Sequence, residues 1–325
     1  MKAAVIHAYG GPEVLKLEER PDPIAGPGEV LVRVSATSVN PFDLKIRSGA
    51  VRDFMPLSFP AILGFDVSGV VEAMGPGVET FSIRDRVFGQ ATQTYASLCV
   101  VKGADLARIP DEMGVTEVAA LPTVTTTGAQ LAALATRGKA VGTVLVTGAV
   151  GNVGRSAVFA AKESGWVVIA GVRKSQFEEA KAAGADQTVA LDDDRSLESL
   201  PPLDAVVDTV AGKVAERLIG KVKKDGVFAS VLGGPSNAAA HPAIRVETMR
   251  VKPAPTTLLR MAAGVKAGKL TIPLGQRFAL ADAAKAHMAA EKRLRGKASA
   301  TALTRRSSDH STGRSSGLPR VPLTR

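Results

Sequence analysis

The sequence predicts an α/β protein in which a β-rich, barrel-like N-terminal domain precedes a doubly wound parallel sheet. Up to about residue 110 the chain consists of short alternating or apolar runs separated by Gly/Pro turns, which is typical of antiparallel strands. From Val115 it becomes Ala-rich and helical, and strand-like and helical runs then alternate to about Arg260. A glycine turn stands where the first of those strands meets its helix.

The order of the elements predicts the domain boundaries. The antiparallel runs include KAAVIHA, EVLVRVSATSV and DVSGVVEAMG, and the parallel strands are expected in TVLVT, VVIAG, TVAL, AVVDTV and GVFASVLGG. The last apolar part has a strand-turn-helix pattern and is expected to return to the first domain. We therefore predict a catalytic domain over 1–122 completed by 261–304, a nucleotide-binding domain over 123–260, and a basic, disordered tail over 305–325.

Composition excludes several classes of function. The net charge is +10, but the Ser/Arg/Pro/Gly-rich segment 305–325 contributes +4 of it, and no aromatic residues interleave with the remaining basic ones, so no nucleic-acid partner is expected. One cysteine and four scattered histidines give no disulfide and no metal-ligand spacing. Without a long apolar run or a secretory signal, no membrane association is expected and the default location is the cytoplasm.

The segment TGAVGNVGRS predicts a dinucleotide site. It follows an apolar strand and opens a helix, where backbone amides and the helix dipole can hold a pyrophosphate. A tight turn without any ligand is the alternative. The residues predicted to line this site are Gly148, Val150, Gly151, Asn152, Val153 and Gly154.

The end of the second parallel strand favours NADPH over NADH. An acid usually stands there for the ribose 2′-hydroxyl, whereas this chain has Arg173 and Lys174, which can pair with a 2′-phosphate. A solvated pair of cations is the alternative. At later strand ends, Thr209, Leu232 and Gly233 are placed for the ribose and nicotinamide, although backbone turns alone also explain them.

Taken in order, these parts resemble the medium-chain dehydrogenase/reductase superfamily, in its zinc-free quinone oxidoreductase-like branch. The resemblance covers about Met1 to Lys297. It rests on NPFDLKIRSG, ILGFDVSGVVEAMGPGV, AALPTVTTTGA, VLVTGAVGNVGRSAV and LADAAKAHMAAEKRLRGK. It implies a GroES-like N-terminal domain, a Rossmann domain and a homodimer, and it implies that Thr127 contacts the ribose or nicotinamide. A helix-start cap is the other reading of Thr127.

The resemblance also implies that no zinc is bound. Zinc-dependent members carry Gly-His-Glu where this chain has Gly64-Phe65-Asp66, and a catalytic cysteine where it has Asn40-Pro41. Neither place supplies the ligands of a tetrahedral zinc site.

The pattern N-P-x-D-x-K-x-R-x-G from Asn40 to Gly49 looks like the subgroup that reduces quinones and α,β-unsaturated carbonyls with NADPH. Many quinone oxidoreductases have tyrosine where this chain has Lys45, which favours enones and enals. Asn40 and Lys45 are the expected donors to the negative charge that grows on the carbonyl oxygen. The proton source is open between Lys45, a ribose hydroxyl and water, while Asp43 and Arg47 are expected to be structural or solvated.

Two other functions remain open at this point. One is a 2-enoyl-thioester reductase, for which Arg47, Arg52 or the EKRLRGK segment would supply a basic landing patch. The other is an NADPH-binding interaction protein without reductase turnover. The favoured prediction is an NADPH-dependent, zinc-independent oxidoreductase acting on small-molecule quinones or on the C=C bond of enones and enals.

Overall fold

The computed structural model describes residues 1–294 and 300–304. The predicted basic tail, 305–325, lies outside the described residues. Within them the chain forms a small three-stranded sheet, a seven-stranded sheet and a six-stranded sheet. None of the helices in this described part is long and apolar enough to cross a membrane. The predicted cytoplasmic location stays a prediction.

Antiparallel pairing organises the N-terminal part, as its alternating runs predict. Its strands are β1 (Lys2–Ile6), β2 (Lys16–Glu19), β3 (Glu29–Val39), β4 (Ala61–Ile62), β5 (Asp66–Met74), β6 (Arg86–Gln90), β7 (Leu98–Lys102) and β8 (Leu106–Arg108). The short helix α1 (Pro41–Arg47) follows β3 directly. Because β3 is paired on both sides, with β5 and β16 among its partners, the start of α1 is held at the end of a central strand.

Parallel pairing organises the second part, in the order β11-β10-β9-β12-β13-β14. Its strands are β9 (Thr143–Thr147), β10 (Val167–Val172), β11 (Gln187–Ala190), β12 (Leu203–Asp208), β13 (Val222–Ser230) and β14 (Arg245–Thr248). Its helices, with those that lead into it, are α2 (Val115–Val118), α3 (Pro122–Thr136), α4 (Asn152–Glu163), α5 (Phe177–Ala182), α6 (Asp194–Glu198), α7 (Gly212–Ile219) and α8 (Pro255–Lys266). The chain order reverses beside β9, so its carboxyl end borders the crevice where ligands of such sheets bind.

The C-terminal segment returns to the first part, as predicted. It forms β15 (Leu274–Ala279), α9 (Ala283–Leu294) and β16 (Ala300–Thr304). Strand β16 pairs antiparallel with β3 and parallel with β15. The predicted boundary at 260/261 falls inside α8, whose Met261 packs in the core around β9 while Leu258 and Ala262 pack with Phe88 of β6. The domain boundaries therefore stay predictions, because a helix shared by both cores spans one of them.

Helices α3 and α4 pack unusually closely, and a glycine makes this possible. A Cβ added to Gly128 would lie 2.4 Å from the carbonyl oxygen of Val153 and 2.5 Å from Cβ of Ser156. The obstacle is backbone, which cannot move aside without shifting a helix. Gly128 thus sets the distance between α3 and the first turns of α4.

We expect Gly128→Ala to destabilise the protein, although alanine is the better helix former by about 1 kcal/mol. Overpacking against backbone costs about 1–3 kcal/mol and outweighs that gain. Thermal unfolding measures this loss of stability. The matched control is Gly264→Ala in α8, where the added Cβ meets the ring of Phe159, a side chain that can shift. A Gly128→Ala protein with a Tm at or above that of the wild type would contradict this packing argument.

Candidate functional site

Close backbone approaches shape the glycine turn between β9 and α4. Gly148 has φ +60°, in the left-handed region that favours glycine. A Cβ on Gly154 would lie 2.2 Å from the carbonyl oxygen of Gly148, and one on Gly151 would lie 3.2 Å from the same atom. Folding alone therefore requires glycine in this turn, which brings the end of β9 tightly against the start of α4.

The start of α4 also presents groups that suit a dinucleotide. The first backbone N–H groups of a helix lack partners within it, and the helix dipole adds positive potential there. The N-cap residue, Gly151, has no side chain to satisfy them. Among the described residues, the buried Oδ1 of Asn152 has no hydrogen-bond partner. The turn, with Val150 and Val153 beside it, fits a pyrophosphate at the N–H groups and a hydroxyl donor at Asn152.

Two cations follow the end of β10. Arg173 and Lys174 are both exposed, and neither side chain forms an ion pair with any residue that the structure describes. Their backbone N–H groups are occupied, by Gln176 Oε1 at 3.1 Å and Asp192 Oδ1 at 3.1 Å respectively. The Arg173 charge is thus left at the carboxyl ends of the strands, next to β9, whereas the Lys174 charge also acts on Asp193.

A buried carboxylate organises the next strand ends. Asp208 accepts a hydrogen bond from Thr147 Oγ1 at 2.9 Å and from Ser230 Oγ at 3.1 Å, so it joins the ends of β9, β12 and β13. The hydroxyl of Thr209 donates to the carbonyl of Thr147 at 2.7 Å. The Leu232 N–H donates to Ser230 Oγ at 3.1 Å. Thr209 and Leu232 are therefore held in place by the strand ends, and their cofactor contacts stay predictions.

Gly233, the last of the predicted cofactor residues on these strand ends, has φ +97°. No atom lies within 4 Å of where its Cβ would be, so it is required by the backbone turn and not by close packing. Leu232 beside it is exposed. Both residues are exposed just after the carboxyl end of β13.

Asp66, at the start of β5, joins the two parts of the chain. Its Oδ1 accepts from the backbone N–H of Thr123 at 2.7 Å, in the first turn of α3. Its Oδ2 accepts from Asn40 Nδ2 at 2.7 Å and from the Ser38 hydroxyl. The side chain is fully buried. Burial raises the pKa of Asp66, and the hydrogen bonds from Ser38, Asn40 and Thr123 oppose that rise.

The two predicted catalytic residues have different environments in the structure. Asn40 is buried at the N-cap of α1, and its Nδ2 donates to Asp66 and, at 3.2 Å, to Ser38 Oγ. Donation by this amide to a substrate would require one of these bonds to be exchanged. Lys45 is exposed on α1 and forms no ion pair with any described residue. The electrophilic roles of both residues stay predictions.

Asp43 and Arg47, which share a motif with Asn40, are both buried, so the solvated reading of them is wrong. Asp43 Oδ2 accepts the backbone N–H of Asn40 at 2.7 Å. Burial raises the pKa of Asp43 to about 7; the Asn40 N–H lowers it and the neighbouring Asp66 carboxylate raises it further. The side chain of Arg47 extends to α9 and does not line the site. The structural reading therefore holds for both residues.

The α3 threonines lie beside the same junction. Thr127 is buried, and its hydroxyl donates to the carbonyl of Thr123 at 2.6 Å, one turn earlier in the helix. The helix-start cap reading of Thr127 is therefore wrong, because Pro122 begins α3. Its contact with a cofactor stays a prediction. Gln90 lies directly across from Asp66 on β6, and its buried Oε1 lacks a partner within the described residues.

A cavity of about 530 Å³ borders this region. Its lining includes Ile46 of α1, Leu63 and Phe65 before β5, and the loop residues Met55 and Thr92. The Phe65 ring also packs against Phe42 of α1, with 5.7 Å between ring centroids. Neither Asn40 nor Lys45 lines this cavity, so it is not joined to the predicted catalytic residues.

The residues at this junction do not fit a zinc ion. Among the described residues, no group of three or more His, Cys, Asp or Glu side chains could hold a metal. Asp66 already uses both carboxylate oxygens on protein donors. The neighbouring places hold Phe65 and Asn40, where a tetrahedral site would need histidine or thiolate ligands.

Sequence reasoning treated Asp66 only as a departure from a zinc motif and did not find its role. Its signal was available, since a single acid inside the apolar run ILGFDVSGVV is unusual unless the acid is hydrogen bonded. The part played by Thr123 had no signal of its own. A backbone N–H can be recognised as the partner of Asp66 only when α3 is seen to start beside β5.

Two family models match the chain. The alcohol dehydrogenase GroES-like domain matches residues 26–136, and the zinc-binding dehydrogenase matches residues 183–298. Among curated proteins, the chain is 34% identical over 199 residues to the chloroplast envelope quinone oxidoreductase homolog of Arabidopsis thaliana, covering 58% of this chain and 60% of that protein. It is 31% identical over 249 residues to the mitochondrial NAD(P)H oxidoreductase RTN4IP1 of Mus musculus, covering 69% and 63%. The match thus spans less than two thirds of these relatives.

Solved structures agree over nearly the whole chain. The quinone oxidoreductase of Coxiella burnetii superposes with a TM-score of 0.83 at 29% identity, covering 94% of this chain and 99% of that one. A mycobacterial protein complexed with NADPH gives a TM-score of 0.77 at 28% identity, covering 94% and 100%. The predicted fold class, a GroES-like N-terminal domain with a Rossmann domain, is confirmed. The chain belongs to the medium-chain dehydrogenase/reductase superfamily, in its quinone oxidoreductase-like branch.

Proposed function

We propose that this protein is an NADPH-dependent oxidoreductase that reduces quinones or the C=C bond of α,β-unsaturated carbonyls without a metal ion. The observation that carries the proposal is the junction at Asp66. Its carboxylate joins the start of α1 to the start of α3, and the groups it contacts there are hydrogen-bond donors only. Relatives named quinone oxidoreductase and NAD(P)H oxidoreductase support it. A small-molecule substrate and a homodimer are part of the same proposal.

The chemistry needs a charge stabiliser near the substrate carbonyl. NADPH would supply the hydride, and its addition to the β-carbon of an enone leaves an enolate, whose negative charge lies largely on the carbonyl oxygen. The Lys45 ammonium, exposed on α1 and unpaired with any described carboxylate, is the group we propose to stabilise that charge. Asn40, fixed by Asp43 and Asp66, is the second donor and would exchange its bond to Ser38 Oγ for one to the substrate. The lysine favours enones and enals over quinones.

The cofactor preference rests on the cations after β10. The glycine turn would hold the pyrophosphate, and Arg173 with Lys174 would hold the 2′-phosphate through charge-assisted hydrogen bonds. The support for this is that both side chains are exposed and have no ion-pair partner in the described chain. Thr127, Thr209, Leu232 and Gly233 would then border the ribose and nicotinamide.

Arg173→Ala is expected to raise the KM for NADPH by about tenfold or more, because a hydrogen bond to a charged group contributes about 1.5–3 kcal/mol. The KM for NADH is expected to stay within about twofold. Steady-state kinetics with both cofactors measures this. The matched control is Arg195→Ala, an exposed arginine of α6 in the same part of the chain, which should change neither value. Equal effects of Arg173→Ala on NADPH and NADH would remove the 2′-phosphate argument.

Lys45→Met is expected to lower kcat/KM for a short-chain enone by about 100-fold, the usual effect of removing one preorganised donor. Lys45→Arg keeps the charge and should lose much less. Asn40→Ala should lower kcat/KM as well, together with Tm, since Asp66 then loses a buried donor. The panel of acceptors contains quinones, 2-alkenals, alkenones and crotonyl-coenzyme A. Loss within about twofold for Lys45→Met would overturn its role, and turnover of the thioester alone would favour an enoyl-thioester reductase.

A further inference from the structure

A buried polar chain leads from the C-terminal helix α9 to the start of α1. Glu291 and His287 of α9 both contact Arg47 of α1: Arg47 Nη2 donates to Glu291 Oε1 at 2.6 Å, and Nη1 lies 3.1 Å from His287 Nδ1. His287 Nε2 lies 3.2 Å from the hydroxyl of Tyr95. The Tyr95 hydroxyl also lies beside the carboxyl of Asp43, whose buried Oδ1 has no hydrogen-bond partner among the described residues. His287, Tyr95 and Asp43 are wholly buried, and Arg47 nearly so.

Elementary chemistry sets the direction of the hydrogen bonds from Arg47 to His287 and from His287 to Tyr95. A guanidinium can only donate, so Nδ1 of His287 must accept from Arg47. A neutral imidazole then carries its proton on Nε2, which donates to the Tyr95 oxygen. The Tyr95 hydroxyl then keeps its own proton, and the neighbouring buried acceptor without a partner is Oδ1 of Asp43. Burial raises the pKa of Tyr95, and the Asp43 charge and hydrogen bond raise it further, in agreement with a tyrosine that remains a donor.

The hydrogen-bond chain ends at Asn40, in the proposed reaction site. Asp43 accepts the backbone N–H of Asn40 at 2.7 Å, and the side chain of Asn40 donates to Asp66 at 2.7 Å. Asn40 is therefore held at its backbone by one buried carboxyl and at its amide by another. Because His287 follows Asn40 by more than two hundred residues, the link exists only after α9 has docked onto α1.

We propose that Arg47, His287 and Tyr95 form a one-directional hydrogen-bond chain, completed by donation from the Tyr95 hydroxyl to the unpartnered Oδ1 of Asp43, through which α9 positions Asn40 for the reduction. His287 is a positioning residue in this proposal, which rests on the proposed function because its effect is exerted on that reaction. The Tyr95 and His287 rings also meet edge to face, with centroids 5.5 Å apart and an interplanar angle of 88°. These two rings could therefore pack together as an ordinary core contact, and the test must distinguish such packing from the hydrogen-bond chain.

Three variants make that separation in the full-length protein. His287→Gln keeps an acceptor for Arg47 and a donor for Tyr95, whereas His287→Leu removes both, and Tyr95→Phe removes the hydroxyl while keeping the ring. The control is Leu15→Ala. Leu15 belongs to the same apolar cluster as Tyr95 but is not part of the hydrogen-bond chain. The substitution should lower Tm without changing kcat.

For enone reduction we expect His287→Leu and Tyr95→Phe each to lower kcat about tenfold with the KM for NADPH within twofold. His287→Gln should stay within about threefold of the wild-type kcat. The double variant should lose no more than the worse single variant, since both break one chain. Unchanged kcat in folded His287→Leu, equal losses in His287→Gln and His287→Leu, or additive losses in the double variant would each overturn the proposal.

A readout without turnover separates this proposal from the proposed function. With only four histidines in the chain, imidazole ¹⁵N NMR identifies His287 by the signal lost in His287→Gln. Burial and the Arg47 charge hold the pKa of His287 at about 3, so we expect a neutral, Nε2-protonated ring from pH 8 to pH 5. An Nδ1-protonated ring, or a ring that titrates in that range, overturns the chain. If the wild type reduces no acceptor, the proposed function fails, while the tautomer of His287 still decides whether the hydrogen-bond chain exists.

Discussion

The carboxylate of Asp66 is the contact on which the arrangement of the two parts depends. It is wholly buried, and it accepts the Thr123 N–H at the start of α3 while it holds Ser38 and Asn40 at the end of β3. A buried carboxylate is tolerated only when its oxygens are hydrogen bonded, and this one also lies at the positive end of a helix dipole. The same carboxylate therefore joins the seven-stranded sheet to helix α3 and fixes the residue nearest the proposed chemistry.

A second carboxylate performs the corresponding task in the Rossmann part. Asp208 joins the ends of three neighbouring parallel strands through Thr147 and Ser230. Both acids are buried where strand ends meet, and each holds those ends together through its hydrogen bonds. Each of the two parts thus uses a buried carboxylate whose oxygens accept hydrogen bonds, one at each side of the site. Their geometry depends on partners that lie far away along the chain.

Most of the fold could be predicted from local pattern. Alternation and Gly/Pro turns indicated the antiparallel part, and the β-branched run TVLVT before a glycine turn indicated the first parallel strand, because these signals act over a few residues. The site was only partly predictable. The positions of Arg173 and Lys174 follow from the end of β10, whereas the environment of Asn40 depends on Asp66 and Thr123, which lie 26 and 83 residues further on.

By itself, then, the sequence determined the order of elements, the glycine turn with the cations after β10, and the absence of histidine and cysteine at the places where zinc relatives carry ligands. Only the tertiary structure decided which polar residues are buried and what they bond to. Asp43 and Arg47 look like solvated charges in SVNPFDLKIRSG, yet both are buried because β5, Tyr95 and α9 close over α1. Burial is a property of the assembled chain, since a side chain loses its water only when distant segments pack against it.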